Sequence, residues 1–422
     1  MKTLITNIEL LNTPNGEMHS IAIEDHKIVG IDVADFAADE IVDGKGKLAT
    51  PGMVNTHGHV SMTLLRSYAD DLALMDWLNN HIWPIEGKMV AEDIYWGAML
   101  GIAEMLKGGT TCFADMYSEM DDVAKACDQL GIRANLCRGI IGFQPNKDQA
   151  IQENIDLFDK WHGHDNGRIR VTMGPHAPYT CPDEAMKQMI AVCKEKGMEV
   201  QMHLCETLDE INGSQKDYGM SPIERMDKLG LLECGVIAAH CVHLTDKDRE
   251  IMAAKKVRIA HNPQSNLKLA SGVADIPAAQ KAGIVVGLGT DGTSSNNNLD
   301  MLEEIRLAAM LHKASKYDPL LIPAAKAWEM GTVDGAKVLG FDNVGLLEPG
   351  YEADIVLWDM DKPYWYPRHN KLSLLVYAAS ANDADTVFVA GKKVVENGKL
   401  VTFDEREIYK KICERTEALL AK

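Results

Sequence analysis

The alternation of apolar and polar positions changes character twice along the chain. Near the start, Ile21 and Ile23, then Ile28 and Val29, flank a polar turn at Asp25-His26-Lys27. Near the end, DIVLWDMD and DTVFVAGKKVVENGKLV are short β-type runs broken by glycine-containing turns. Both patterns read as hairpins. Neither end alone can bury a stable core, so residues 1–50 and 350–422 are expected to pack together as one small β-sandwich domain. Over residues 51–349 apolar runs alternate with amphipathic stretches such as DIYWGAMLGIAEMLKGG, SEMDDVAKACDQLG and SPIERMDKLG. The apolar runs predict eight strands: MVNTH (53–57), TTCFAD (110–115), IRANLCR (132–138), IRVTMGPH (169–176), EVQMHLCE (199–206), VIAAHC (236–241), VRIAHNP (257–263) and IVVGLGTD (284–291). Eight alternating strand–helix units argue for an α/β fold whose parallel sheet closes into a (β/α)8 TIM barrel. An open doubly wound sheet is the structural alternative.

Composition narrows the function. Hydrophobic residues make up 46% and charged residues 25% of the 422 positions, as in a packed globular protein. The net charge of −19 disfavours binding to phosphate backbones and anionic lipid, so no nucleic acid and no membrane partner is expected. The nine cysteines are odd in number and show no C-x-x-C spacing, which suits reduced thiols. The N-terminal apolar run is broken by Asn7 and Glu9 and does not read as a signal peptide. Together these features predict a cytoplasmic, enzyme-sized protein.

The chemistry gathers at the predicted strand ends, where barrel active sites lie. His57 and His59 end the first strand, Arg138 the third and His176 the fourth. His203 and Glu206 lie on the fifth, His240 ends the sixth, His261-Asn262 the seventh and Asp291 the eighth. A single histidine at a strand end is usually structural; seven strand ends with such residues are not explained that way. In His57-Gly58-His59 both imidazoles project from one face of an extended strand. Joined by His203 and Asp291 they make a four-ligand N/O set suited to Zn²⁺, with Fe²⁺ as second choice. VTMGPH offers no lysine to bridge two ions, so one metal per subunit is expected. Glu206, three residues past His203, is placed to shuttle protons beside the ion. His240 is placed to orient the attacking oxygen and stabilise developing negative charge. His261, followed by Asn262-Pro263, reads as a turn that buttresses the pocket. The histidines at 19, 26, 81, 162, 164, 243, 312 and 369 are read as structural or surface residues.

PGMVNTHGH, GPHAPYTC, QMHLCET, AAHCVHL, HNPQSNLKLASG, GLGTDGTSSNN and GLLEPGYEADIVL together resemble the amidohydrolase superfamily, most of all its 5′-methylthioadenosine/S-adenosylhomocysteine deaminase family. The resemblance covers essentially the whole chain. It implies the barrel with a sandwich made from both ends, and one Zn²⁺ on His57, His59, His203 and Asp291. It implies Glu206 and His240 as catalytic pair, with Asp291 also accepting a proton from the attacking water. Water would add to C6 of an adenine-type nucleoside while Glu206 protonates N1, with loss of ammonia. In the long segment LLRSYADDLALMDWLNNHIWPIEGKM, too long for an ordinary connection, Trp77 would pack on the substrate and Glu86 would accept from the ribose hydroxyls. His176 would help hold the nucleoside, and Ser295 would line the pocket. A homo-oligomer is also implied.

The chain departs from the family pattern at one point. Members that handle the homocysteine end offer two arginines to its carboxylate. Arg138 matches the first, but Ala150 stands where the second is expected. Lys147 and Lys194 are available cations that do not match that position, and a lysine grips a carboxylate less specifically than a bidentate arginine. The sequence therefore predicts that methylthioadenosine or another 5′-modified adenosine is favoured over S-adenosylhomocysteine. Deamination or dechlorination of another heterocycle (guanine, an oxidised purine, an s-triazine) is the competing enzyme reading, since the same metal site serves it. A barrel that has lost its chemistry and acts as a scaffold is the remaining alternative; the complete ligand set and both proton-handling residues argue against it.

Overall fold

The computed structural model describes residues 1–72 and 74–422. The N-terminal segment forms β1 (Lys2–Leu10), β2 (His19–Glu24), β3 (Lys27–Ile31), β4 (Glu40–Asp43) and β5 (Lys47–Pro51). The central segment carries β6 (Met53–Asn55), β7 (Thr110–Tyr117), β8 (Arg133–Ile140), β9 (Ile169–Val171), β10 (Gly174–Pro175), β11 (Val200–Leu204), β12 (Val236–His240), β13 (Arg258–His261) and β14 (Val286–Leu288). The C-terminal segment adds β15 (Ile355–Asp359), β16 (Ala384–Val389), β17 (Lys392–Glu396) and β18 (Lys399–Leu400).

The two chain ends do meet. β5 pairs in parallel with β1 and antiparallel with β15, so one hydrogen-bonded path runs β18-β17-β16-β15-β5-β1-β2-β3, with β4 beside β1. Its alternating residues Ile5, Ile21, Ile23, Ala49, Ile355, Leu357 and Phe388 bury against one another as a separate apolar cluster. The two ends are joined through the pairing of β5 with β1 and β15.

All strand pairs of the central segment are parallel. They form one sheet with the order β6-β7-β8-β10, β9 also on β8, and a second with the order β11-β12-β13-β14. Backbone bonds join the two sheets at both margins. Thr56 N donates to Leu288 O at 2.8 Å and Asp291 N to His57 O at 3.0 Å. At the other margin Met173 N donates to Glu199 O, and Gln201 N to Met173 O. All eight sequence-predicted strands are present, though the fourth is split at Thr172-Met173 into β9 and β10. The segment after β6 contains a run of short helical turns (Val60–Leu65, Leu74–Asp76, Trp77–Ile82 and Trp83–Glu86). Their apolar residues Leu65, Trp77, Leu78, Ile82 and Ile85 join the main core. Among the described residues no helix is long and apolar enough to cross a membrane, and the cysteines are free thiols.

A buried charge cluster fastens the terminal strands to the central ones. Arg133, at the start of β8, is 2% exposed. Its Nε donates to Asp354 Oδ2 at 2.8 Å and a terminal nitrogen donates to Asp354 Oδ1 at 3.0 Å; the same nitrogen reaches Glu352 Oε2 at 3.1 Å. Asp354 also accepts from Ala390 N at 2.7 Å. Such a pair adds little over an apolar filling, but removing one partner strands the other charge in the interior. Asp354→Ala is therefore expected to cost about 3–5 kcal/mol, read as a fall in the denaturation midpoint. The double variant Asp354→Ala/Arg133→Met is expected to recover part of that loss. A single variant as stable as the parent refutes the assignment.

Candidate active site

Three of the central strands end in the same unusual way. Cys205 after β11, His240 at the end of β12 and Asp291 after β14 have left-handed φ values of 54°, 71° and 63°. Side chains with a Cβ seldom adopt this conformation, and it collects where function fixes the backbone. The bend turns the residues that follow each strand into one space. Gly289 permits the last approach: a Cβ there would lie 2.5 Å from Asn262 Oδ1 and 2.8 Å from His57 N.

In that space His57, His59, His203 and Asp291 converge. Asp291 Oδ1 lies 3.5 Å from His57 Nε2 and 3.2 Å from His59 Nε2, and His203 Nε2 lies 3.4 Å from His59 Nε2. An ion bound tetrahedrally at about 2.0–2.1 Å holds its ligand atoms about 3.4 Å apart. The donor atoms are thus spaced as one four-coordinate ion requires. His57, His59 and His203 form one group able to hold a metal ion, and His57, His240 and Asp291 form an overlapping one. The imidazoles are oriented by backbone: His59 Nδ1 donates to Met116 O at 2.7 Å, and His203 Nδ1 donates to His176 O at 2.7 Å. Each keeps Nε2 free for a ligand role, the usual arrangement around a metal-binding histidine. His57 Nε2 is buried with no hydrogen-bond partner. Burial lowers the pKa of His57 to about 4 and that of His203 well below its ordinary value, so both are neutral donors near pH 7. Burial also opposes charge on His59, but the Asp291 carboxylate outweighs it and lifts His59 to about 9. The site calls for a cation: an ion bound there would take the place of that proton.

Asp291 divides its two oxygens. Oδ1 faces the histidines, and Oδ2 accepts from Ser265 Oγ at 2.7 Å and Ser295 Oγ at 2.9 Å. Ser295 is buried, and its hydroxyl donates to Asp291. His240 Nδ1 is 2.8 Å from Asn266 Oδ1, and its Nε2 is 3.8 Å from Glu206 Oε2. Burial raises the Glu206 pKa above its ordinary value, with His240 opposing. The turn bearing Glu206 is pinned by a second buried carboxyl, Glu210, which accepts from Cys205 N at 2.8 Å and Glu206 N at 2.9 Å.

These groups open onto a cavity of about 300 Å³. His59, His203, Glu206, His240 and Asp291 form part of its wall; Trp77, Glu86, Arg138 and His176 are also on it. His57 lies behind this surface. Glu86 accepts from the Tyr117 hydroxyl. Burial raises the Glu86 carboxyl to about 7, with Tyr117 opposing. His176 Nδ1 is 3.1 Å from Thr180 Oγ1. Arg138 is tied to Glu153 at 2.8 Å. Ala150 is buried in the helix Lys147–Trp161 and is not part of the wall.

Sequence reading missed Glu210, Ser265, Asn266 and Tyr117. Two had a signal. Thr207-Leu208-Asp209-Glu210 has the T-x-x-E form of a helix-capping box, and Asn262-Pro263 opens a short helix, Pro263–Lys268, that delivers Ser265 and Asn266.

Residues 48–394 match the model of the amidohydrolase family. A 5-methylthioadenosine/S-adenosylhomocysteine deaminase of Dictyoglomus thermophilum is 49% identical over 384 residues, covering 91% of this chain and 90% of that protein. One of Dictyoglomus turgidum is 45% identical with both chains covered in full. Among solved structures, an adenosine deaminase from Xanthomonas campestris with bound zinc superposes with a TM-score of 0.93 at 34% identity, covering 100% of this chain and 99% of that one. An atrazine chlorohydrolase from Arthrobacter aurescens complexed with zinc gives 0.89 at 26% identity, covering 98% and 100%. With its convergent histidines and aspartate, the chain belongs to the amidohydrolase family, in the group that includes these 5-methylthioadenosine/S-adenosylhomocysteine deaminases.

Proposed function

We propose that the protein is a metal-dependent aminohydrolase that removes the C6 amino group of 5′-modified adenosines, giving the inosine analogue and ammonia. The observation that carries this reading is the single cavity in which four metal-spaced donors, the Glu206–His240 pair and the Trp77–Glu86 wall meet. Near-full-length relatives at 45% and 49% identity support the nucleoside over the triazine chemistry of structures 26% identical. The parallel strands are read as a closed (β/α)8 barrel over residues 51–349, because backbone bonds join both margins of its two sheets. Residues 1–50 and 350–422 are read as the companion domain.

His57, His59, His203 and Asp291 would hold one Zn²⁺. When bound, that ion supplies the Lewis acid that makes water nucleophilic near neutral pH. The chain does the rest. Glu206 carries a proton to N1 of the purine, which makes C6 electrophilic. His240, its Nδ1 committed to Asn266, turns Nε2 toward the attacking oxygen. Asp291, one oxygen held by two serines, accepts a proton with the other. Ammonia leaves after a second proton reaches the amino group. Trp77 offers an apolar face to the base, and Glu86 accepts from ribose hydroxyls. His176 shapes the wall beside His203, their ring centroids 4.8 Å apart.

Three outcomes test this reading. Zinc-loaded protein offered adenosine, 5′-methylthioadenosine, 5′-deoxyadenosine, S-adenosylhomocysteine and guanine should release ammonia from the 5′-modified adenosines; silence on every adenosine refutes the assignment. Glu206→Gln should retain its metal, measured by elemental analysis, and lose about 10²–10⁴ in kcat; near-normal turnover would place proton transfer elsewhere. The third outcome concerns stability. A carboxyl raised from 4.5 to about 7 on folding leaves the folded state holding a proton that the unfolded state has released. Its stabilising contribution is complete below about pH 4.5 and is lost as pH rises through 7. The melting temperature of Glu86→Gln relative to the parent should therefore climb between pH 4.5 and 7 and level off above. A difference that stays flat across that window refutes the ionisation of Glu86.

A further inference from the structure

Two of the free thiols meet away from the cavity. Cys193 lies in the last turn of the helix Asp183–Lys196, and Cys234 ends the short helical turn Leu231–Cys234. That turn packs on the helix, and the two side chains hydrogen-bond to each other. Cys193 is fixed in place: it is 2% exposed, and its carbonyl accepts from Gly197 N and, at 3.0 Å, from Met198 N. Cys234 is partly exposed. A cation reaches the same turn from the helix, since a Cβ at Gly230 would lie 3.5 Å from Lys194 Nζ.

The thiolate is the reactive form of cysteine, so the chemistry of a pair depends on which sulfur loses its proton first. The hydrogen bond from Cys193 lowers the Cys234 pKa; burial opposes the fall and Lys194 adds to it. The same hydrogen bond, with burial, raises the Cys193 pKa. The accessible sulfur is therefore the nucleophile, and the buried one keeps its proton. Cys205 and Cys241, just past the ends of β11 and β12, lack this asymmetry: both are buried, and burial raises both. Cys234 stands two residues before β12 begins, at the opposite end of the strand from His240. Chemistry at this pair thus leaves the strand ends of the active site alone.

We propose that Cys193 and Cys234 form a redox-active dithiol, a modification site at which hydrogen peroxide is reduced and a reversible disulfide is made. The Cys234 thiolate attacks the O–O bond, takes one oxygen as a sulfenic acid and releases hydroxide. The Cys193 sulfur then attacks the Cys234 sulfur; the S–O bond breaks, the S–S bond forms, and the oxygen leaves as water with the Cys193 proton. The two cysteines lose two electrons and the peroxide gains them. An external thiol returns both to the reduced state by exchange. The bridge ties the helix Asp183–Lys196 to the turn that feeds β12.

The test treats the full-length protein with hydrogen peroxide, alkylates the remaining thiols and maps the peptides by mass spectrometry. The parent should yield the Cys193–Cys234 disulfide, lost again on treatment with dithiothreitol. In Cys193→Ser the oxidation should halt at the Cys234 sulfenic acid, and dimedone should label Cys234 about tenfold more than Cys413 at pH 7. Cys413 is the exposed thiol, on the helix Glu405–Leu420, and serves as the internal comparison. Equal labelling, or more at Cys413, means that exposure alone governs reactivity and overturns the proposal. A treated parent in which Cys193 and Cys234 both stay open to alkylation overturns it as well, and this second result needs no variant to fold.

Discussion

The site depends on one contact between the two ends of the central strand order. Asp291 N donates to His57 O at 3.0 Å, and one step away Thr56 N donates to Leu288 O at 2.8 Å. These bonds hold the segment after β14 against the end of β6, across more than two hundred residues of chain. Without them the His57–His59 pair and the Asp291 carboxylate would not share a centre. Gly289 lies at the same junction because a Cβ there would strike His57 and Asn262. The metal-ready geometry is therefore a property of strand pairing first and of side-chain chemistry second.

That pairing brings several ionisable groups out of water together, and the structure balances them locally. Asp291 is the acceptor for which His57 and His59 compete, and its remaining oxygen is satisfied by two serines. Glu210 is raised by burial to about 7, yet it is retained because two backbone N–H groups of the Glu206 turn have no other partner. Glu304 plays a similar part farther back. It accepts from Asn296 Nδ2 at 2.7 Å, and the same amide nitrogen reaches Thr290 O at 2.8 Å, the carbonyl just before Asp291. Buried polar groups of this kind are costly unless paired. Their placement behind Glu206 and Asp291 shows where that cost is borne.

The sequence made the strand ends readable because both signals are short-range. A strand has a period of two, and the chemically capable residues fall at its C-terminal limit. His57, His59, His203, Glu206, His240 and Asp291 stand out from the sequence on that ground, and the structure brings all six into one space. The supporting residues were less legible. Ser265 and Asn266 lie on a six-residue helix with no hydrophobic repeat long enough to show a period. Glu210 had the form of a capping residue, and Thr207 does accept from its N–H at 3.3 Å, but its carboxylate reaches past the cap to Cys205 and Glu206. Ser295 lies in a turn four residues past Asp291 and donates to it, a contact that residue type alone does not announce. In each case the deciding contact comes from elements distant in sequence or from a backbone turn that residue type alone does not specify.

The cavity also separates into two halves with different origins. The metal-spaced groups and the Glu206–His240 pair lie on or just after β6, β11, β12 and β14, where strand pairing fixes the backbone. The wall residues Trp77, Glu86 and Arg138 come from the helical turns after β6 and from β8, with the Tyr117 contact from β7. Substitutions in the second half can alter shape and charge without touching the strand-end geometry of the first. Superposition on an adenosine deaminase and on an atrazine chlorohydrolase with nearly equal TM-scores accords with that division. The Arg138–Glu153 pair lies in the second half, on β8 and the helix Lys147–Trp161, away from the strand pairing that brings His57 and Asp291 together.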